Sequence, residues 1–144
     1  MCACAPNELG QSLVELALSL PLLVFLLIGG TDLARAYALQ IAAQNGARAG
    51  AESYAIDFTP TVTEATARAR DEMSRTPGLD ANNATITVSR AQPDGVTACV
   101  SPPTIINPCY VTVRVQYTFR TLIPWPLIPN QADFDRSTTM RTFY

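Results

Sequence analysis

Between Glu15 and Asp32 the chain runs for sixteen residues, LALSLPLLVFLLIGGT, without a charge. Most of them are Leu, Val, Phe and Ile. Adding residues 11–15 brings the segment to the twenty or so residues that about 30 Å of hydrocarbon requires. Nothing comparable recurs after residue 52. The chain therefore reads as one membrane anchor near the N-terminus followed by a polar body.

The pattern around the anchor divides the chain further. Residues 1–10, MCACAPNELG, read as a short polar leader, 11–30 as a transmembrane helix and 31–53 as its continuation beyond the bilayer. A helix of about 43 residues at ~1.5 Å rise is roughly 65 Å long, so half of it must leave the membrane. Pro21 removes one backbone bond within it, a loss that membrane helices tolerate. In the second half Gln40, Gln44, Arg48 and Glu52 recur at i+4 as a polar stripe. Leu33, Tyr37 and Ile41 form an apolar stripe, with Ala36, Ala43 and Ala47 nearby. Asp32 with Arg35, and Arg48 with Glu52, stand at helical pairing distances. Gly46 and Gly50 form a small-x-x-x-small pattern that suits close packing, either on a partner helix or on the protein's own sheet.

Residues 54–144 read as a small α+β body. Thr61 and Glu64 fit a capping box that opens a short helix from Val62 to Arg75, and Pro77-Gly78 stops it. Ala65, Ala69 and Met73 make its apolar stripe, and Glu64–Arg68, Arg68–Glu72 and Asp71–Arg75 can pair across its turns. Strand periodicity follows in Thr85–Arg90, with a turn signal at Pro93-Asp94-Gly95 and a return strand expected over Val96–Val100. The clearest strand is Tyr110–Arg120, with Val111, Val113, Val115, Tyr117 and Phe119 on one face and polar residues on the other. The proline-rich LIPWPLIPN stretch is an apolar loop, either covering the core or forming an exposed patch around Trp125. Arg136–Phe143 is the expected last strand. The expected fold is α+β: a long N-terminal helix packed through its 33–50 apolar face on a small antiparallel sheet, plus one short helix. Such burial would complete a core that roughly 90 extramembrane residues cannot fill alone.

Composition excludes several kinds of chemistry. The 144 residues contain no His and no Lys, and the formal charge is −2. No Ser-His-Asp set, histidine metal ligand, P-loop lysine or Schiff base is available, so no metal and no cofactor is expected. Without a basic cluster, nucleic acid is not the expected partner. Asp133 and Asp135 form an Asp-x-Asp on an expected loop, with no nucleophile–base set beside them. Cys99 and Cys109 flank a nine-residue, proline-bearing loop and suit a structural disulfide outside the cytoplasm, not a CxxC redox pair. Cys2 and Cys4, in the leader, are expected to stay reduced. Asn83-Ala84-Thr85 matches a glycosylation sequon, taken here as chance.

The most informative constellation is Gly10-Gln11-Ser12-Leu13-Val14-Glu15, at the opening of the apolar helix. A carboxylate there costs a few kcal/mol if charged, which points to a retained partner. Cleavage after Gly10 would place a new α-amino group on Gln11, one turn from Glu15. A Gly at −1 and Glu at +5 before an apolar helix resembles the prepilin cleavage site of type IV pilins and pseudopilins. The longer run GQSLVELALSLPLLVFLLIGGTDLARAYALQIAAQNGARAGA resembles the TadE-like proteins of the Flp (Tad) pilus assembly system. The matching features are Val14-Glu15, Pro21, Gly29/Gly30 with Asp32 and Arg35, and Ala42-Ala43 through Gly46-Ala47-Arg48-Ala49. Ser137 to Arg141 is similar to the family's S-A-x-x-M-R ending.

The resemblance implies a minor pseudopilin-like, non-enzymatic protein, single-pass in the cytoplasmic membrane with its C-terminal body outside. It implies a prepilin peptidase acting at Gly10, Gln11 and Glu15, and other pilin-like and pilus-assembly subunits as partners. Two rival readings stand beside it. One is an uncleaved single-pass protein whose body captures a ligand or adhesive partner. In the other, Ala34-Arg35-Ala36 is a signal-peptidase site that releases residues 37–144.

Overall fold

The computed structural model describes residues 8–100, 102–125 and 129–143. The leader over residues 1–7, with Cys2 and Cys4, lies outside the described residues, as do Leu127 and Ile128 of the proline-rich loop. The chain divides into two compact units, Met1–Arg35 and Ala36–Tyr144. Helix α1, Glu8–Ile56, runs through Pro21 and contributes to both.

In the first unit the large apolar side chains from Leu13 to Leu27 are all exposed. Two hydroxyls of this unit turn back onto the helix: Ser19 donates to the Leu16 carbonyl (3.1 Å) and Thr31 to that of Leu27 (2.8 Å). A hydroxyl with no water to bond must find such a partner. It is the one helix among the described residues long and apolar enough to cross a membrane.

The second unit is α+β. After α1 come α2 (Val62–Ser74), a single 3₁₀ turn at Ala81–Asn83, and strands β1 (Thr85–Ala91), β2 (Tyr110–Arg120) and β3 (Gln131–Arg141). The capping box forms at the start of α2: Thr61 Oγ1 accepts from the Glu64 amide (3.2 Å) and donates to the Glu64 carboxylate (2.7 Å). The strands make one antiparallel sheet in the order β1-β2-β3, with Val88 opposite Val113 and Val113 opposite Thr138. The alternation in β2 is realised fully, because Val111, Val113 and Val115 are completely buried. Each contributes about 1.5–3 kcal/mol of burial.

Several expectations are corrected. Leu33, Tyr37 and Ile41 do not form the core face of α1, since they are 72%, 65% and 43% exposed. The core takes instead Leu39, Ala43, Ala47, Ala51 and Ala55, one i+4 row, with Ala42, Gly46, Gly50 and Tyr54 beside it. Small residues win that face because α1 is approached by both the sheet and α2, and only Ala and Gly leave room for both. No return strand forms at Val96–Val100. There the amides of Val96 and Thr97 donate to the Asp94 carboxylate (3.1 and 2.9 Å), and Gly95 sits at φ +74°, so the chain satisfies itself locally.

Strand β3 begins five residues before Arg136, and Asp133 and Asp135 lie on it and not on a loop. Cross-strand partners draw them in: Thr118 donates to Asp133 (2.7 Å), and Arg114 Nε donates to both Asp135 oxygens (2.8 and 3.0 Å). On the helices, Asp32–Arg35 (3.0 Å) and Asp71–Arg75 (3.3 Å) pair as their spacing predicts. Arg75 also takes Glu72 (3.5 Å), whereas Arg48–Glu52, Glu64–Arg68 and Arg68–Glu72 make no ion pair among the described residues.

Candidate functional site

Gly10 and Gln11 stand in the first turn of α1, where backbone amides lack helical acceptors and the helix opens most easily. They share one open helix face with Val14, Glu15 and Leu18. A Cβ on Gly10 would meet nothing within 4 Å. Glu15 is exposed among exposed leucines and makes no hydrogen bond or ion pair among the described residues. The structure thus brings Gly10, Gln11 and Glu15 together on an accessible surface and leaves the carboxylate available to another chain.

Asp32, at the end of the apolar run, behaves differently. It is 5% exposed, and Arg35 Nη1 donates to its Oδ1 at 3.0 Å. Its pairing was legible from the i+3 spacing, but its burial was not. The Ala34-Arg35-Ala36 site lies in mid-helix with helical residues on both sides, so a peptidase would have to unwind α1 there.

Gly46 and Gly50 pack inside the body. A Cβ on Gly46 would lie 2.6 Å from Met73 Cγ and 3.0 Å from the Ala69 carbonyl oxygen. On Gly50 it would lie 2.9 Å from the Ala65 carbonyl oxygen, 3.1 Å from Ala69 Cβ and 3.2 Å from Val113 Cγ1. The small-x-x-x-small pattern therefore serves the protein's own α2 and sheet. The i+4 recurrence of Ala and Gly from residue 42 to 55 was the signal for this face.

Cys99 and Cys109 form the expected disulfide, with Cα atoms 5.5 Å apart. It ties the 92–109 loop to the start of β2, where Arg90 lies over the Tyr54 ring (5.7 Å) and its Nη2 comes within 3.9 Å of Cys109 Sγ. In the loop between β2 and β3, Leu122 and Ile123 are exposed and Trp125 is half-buried. No group of three or more metal-ligating side chains occurs among the described residues.

A family model described as TadE-like protein matches residues 10–52. Those residues are TadE-like. The match begins at the glycine of the proposed cleavage site and ends four residues before α1 does, so it covers the helix and none of the sheet. Comparison with curated proteins and with solved structures finds no match. The TadE-like helix suggests a Flp/Tad pilus-related function, and its exposed apolar run suggests membrane anchoring.

Proposed function

We propose that the protein is a minor pseudopilin-like component of Flp/Tad pilus biogenesis, held in the cytoplasmic membrane by α1 with its body outside. It acts by packing its helix against those of partner subunits, not by chemistry. The observation that carries this reading is Glu15, exposed within the apolar face of a TadE-like helix and without a partner among the described residues. A charge in hydrocarbon costs a few kcal/mol unless it is paired. Cleavage after Gly10 creates a cation of the right sign on Gln11, and in an assembly the amine of one subunit can neutralise Glu15 of the next. A prepilin peptidase is the partner that makes this cut.

N-terminal sequencing of the membrane-bound protein tests the proposal. It predicts Gln11 as the first residue. Gly10→Ala is expected to slow or abolish maturation, seen as retention of the slower-migrating form on a gel. Glu15→Gln is expected to leave maturation largely intact and impair pilus output; normal output from that variant would remove the role given to the carboxylate. A second reading, an uncleaved single-pass protein with a ligand-binding body, is favoured by the start of α1 at Glu8, which leaves the Gly10–Gln11 bond inside the helix. That reading predicts Met1 at the N-terminus of the mature protein.

A further inference from the structure

We propose that the Cys99–Cys109 disulfide is made and broken through Cys99 alone. Cys99 is the sulfur that exchanges with an external thiol or disulfide, and Cys109, beside Arg90, is the thiolate that closes the bond or leaves it. The two sulfurs stand in unlike surroundings. Cys109 is 1% exposed, whereas Cys99 is half-buried between the exposed Ala98 and Val100. Thiol–disulfide exchange requires access to the sulfur attacked. Of the two, Cys99 offers it.

Cys109 is fixed by residues from several elements. Thr142, itself buried, donates both its amide (2.9 Å) and its hydroxyl (3.2 Å) to the Cys109 carbonyl. From β1, Arg90 brings Nη2 to 3.9 Å from Cys109 Sγ, while its guanidinium carbon lies 5.7 Å from the ring centre of Tyr54 on α1. Arg90 makes no ion pair among the described residues, so no carboxylate takes up its charge there. At the neighbouring register position Tyr110 of β2 stands opposite Arg141 of β3. On the loop side the one acid is Asp94, whose carboxylate accepts from the Val96 and Thr97 amides. The charge beside Cys109 is therefore a cation, which favours the thiolate over the thiol by roughly tenfold at this distance.

In the oxidative direction the Cys99 thiolate attacks one sulfur of the external disulfide. A bond forms between them and the first external thiolate leaves. The Cys109 thiolate then attacks Cys99 Sγ, the protein disulfide forms, and the second external thiolate leaves. The two protein thiols lose two electrons and two protons, and the external disulfide takes them up as two thiols. Reduction is the same path reversed, with Cys109 as the leaving thiolate. Arg90 is a positioning residue in both directions, because it acts only through the charge it holds beside Cys109.

The test uses the purified full chain in detergent carrying Cys2→Ser and Cys4→Ser, so it does not depend on which side of a membrane the body occupies. With Cys109→Ser added, the reduced protein given glutathione disulfide should gain one glutathione at Cys99, read by intact mass. With Cys99→Ser instead, the gain at Cys109 should be at least about tenfold slower in native buffer, as for a sulfur that reacts only when its cover opens. In urea the two should react alike. With both cysteines present, the mixed disulfide should close about threefold more slowly in Arg90→Gln at about pH 7, since the loss of thiolate is partly offset by its greater nucleophilicity. Arg90→Lys should keep the parent rate. At about pH 9.5, above the ordinary thiol value of about 8.5, Arg90→Gln should show no slowing. Equal gain at Cys99 and Cys109 in native buffer would overturn the proposal, whether the reduced body has opened or Cys109 is simply reachable. So would slowing by Arg90→Gln that is the same at both pH values, the mark of a merely structural role, or no slowing at either.

Discussion

Replacing Gly50 by alanine separates two opposed effects of comparable size. In an open helix interior, alanine is better than glycine by about 1 kcal/mol. At Gly50 the new methyl would sit 2.9 Å from the Ala65 carbonyl oxygen, 3.1 Å from Ala69 Cβ and 3.2 Å from Val113 Cγ1. The first of these is backbone of α2 and the last belongs to a fully buried valine, so neither can swing aside. Relief requires α2 to move off α1, and overpacking of this kind costs about 1–3 kcal/mol. The net expectation is a loss of up to about 2 kcal/mol. For a unit of this size that lowers the melting temperature by up to roughly 10 °C. Calorimetry or near-UV circular dichroism of the full chain in detergent would record it. Gly50→Val should lose more. Gly30→Ala, where a methyl meets nothing within 4 Å, should show no loss. A rise in melting temperature for Gly50→Ala would refute the account of α2 seated on a small-residue face.

Further outcomes follow from the same structure. Replacing Cys99 and Cys109 by serine should cost about 2–3 kcal/mol, less where prolines already stiffen the loop, and a reductant should have the same effect on the parent protein and none on the variant. Thr61→Ala removes the cap of α2 and should cost about 1 kcal/mol by thermal unfolding. The side-chain hydrogen bonds from Arg114 hold the Asp135 carboxyl below its ordinary value, and the bonds from Thr97 do the same for Asp94. Folded values depressed in this way mean stability that is present above the unfolded carboxylate value of about 3.9 and lost as pH falls through the folded ones. Acid titration of the melting temperature should therefore show a decline below about pH 4, and Asp135→Asn with Asp94→Asn should flatten it.

The elements themselves were largely readable. The uncharged run, the Thr61–Glu64 cap and the alternation of Val111, Val113 and Val115 each carry their own period or chemistry, and each formed where its residues placed it. The failures differ in character. Val96–Val100 has strand composition, but Asp94, two residues before it, takes its first amides into a local turn. Asp133 and Asp135 look like turn residues until Thr118 and Arg114 stand opposite them. In that second case the deciding partner lies outside the window that a local pattern samples.

The same division runs through the candidate site. Gly10, Gln11 and Glu15 stand out as candidates in the sequence, because a lone acid in an apolar helix is conspicuous without any neighbour and the spacing resembles a prepilin site. The face of α1 that enters the core does not. Size favoured Leu33, Tyr37 and Ile41, yet the body buries the Ala and Gly rows, because α1 must receive a sheet and a helix together and only small side chains admit both. Periodicity records that a helix has an apolar side. Which of two such sides is covered depends on what the rest of the chain brings to it, and that is decided only when the strands and α2 have found their places.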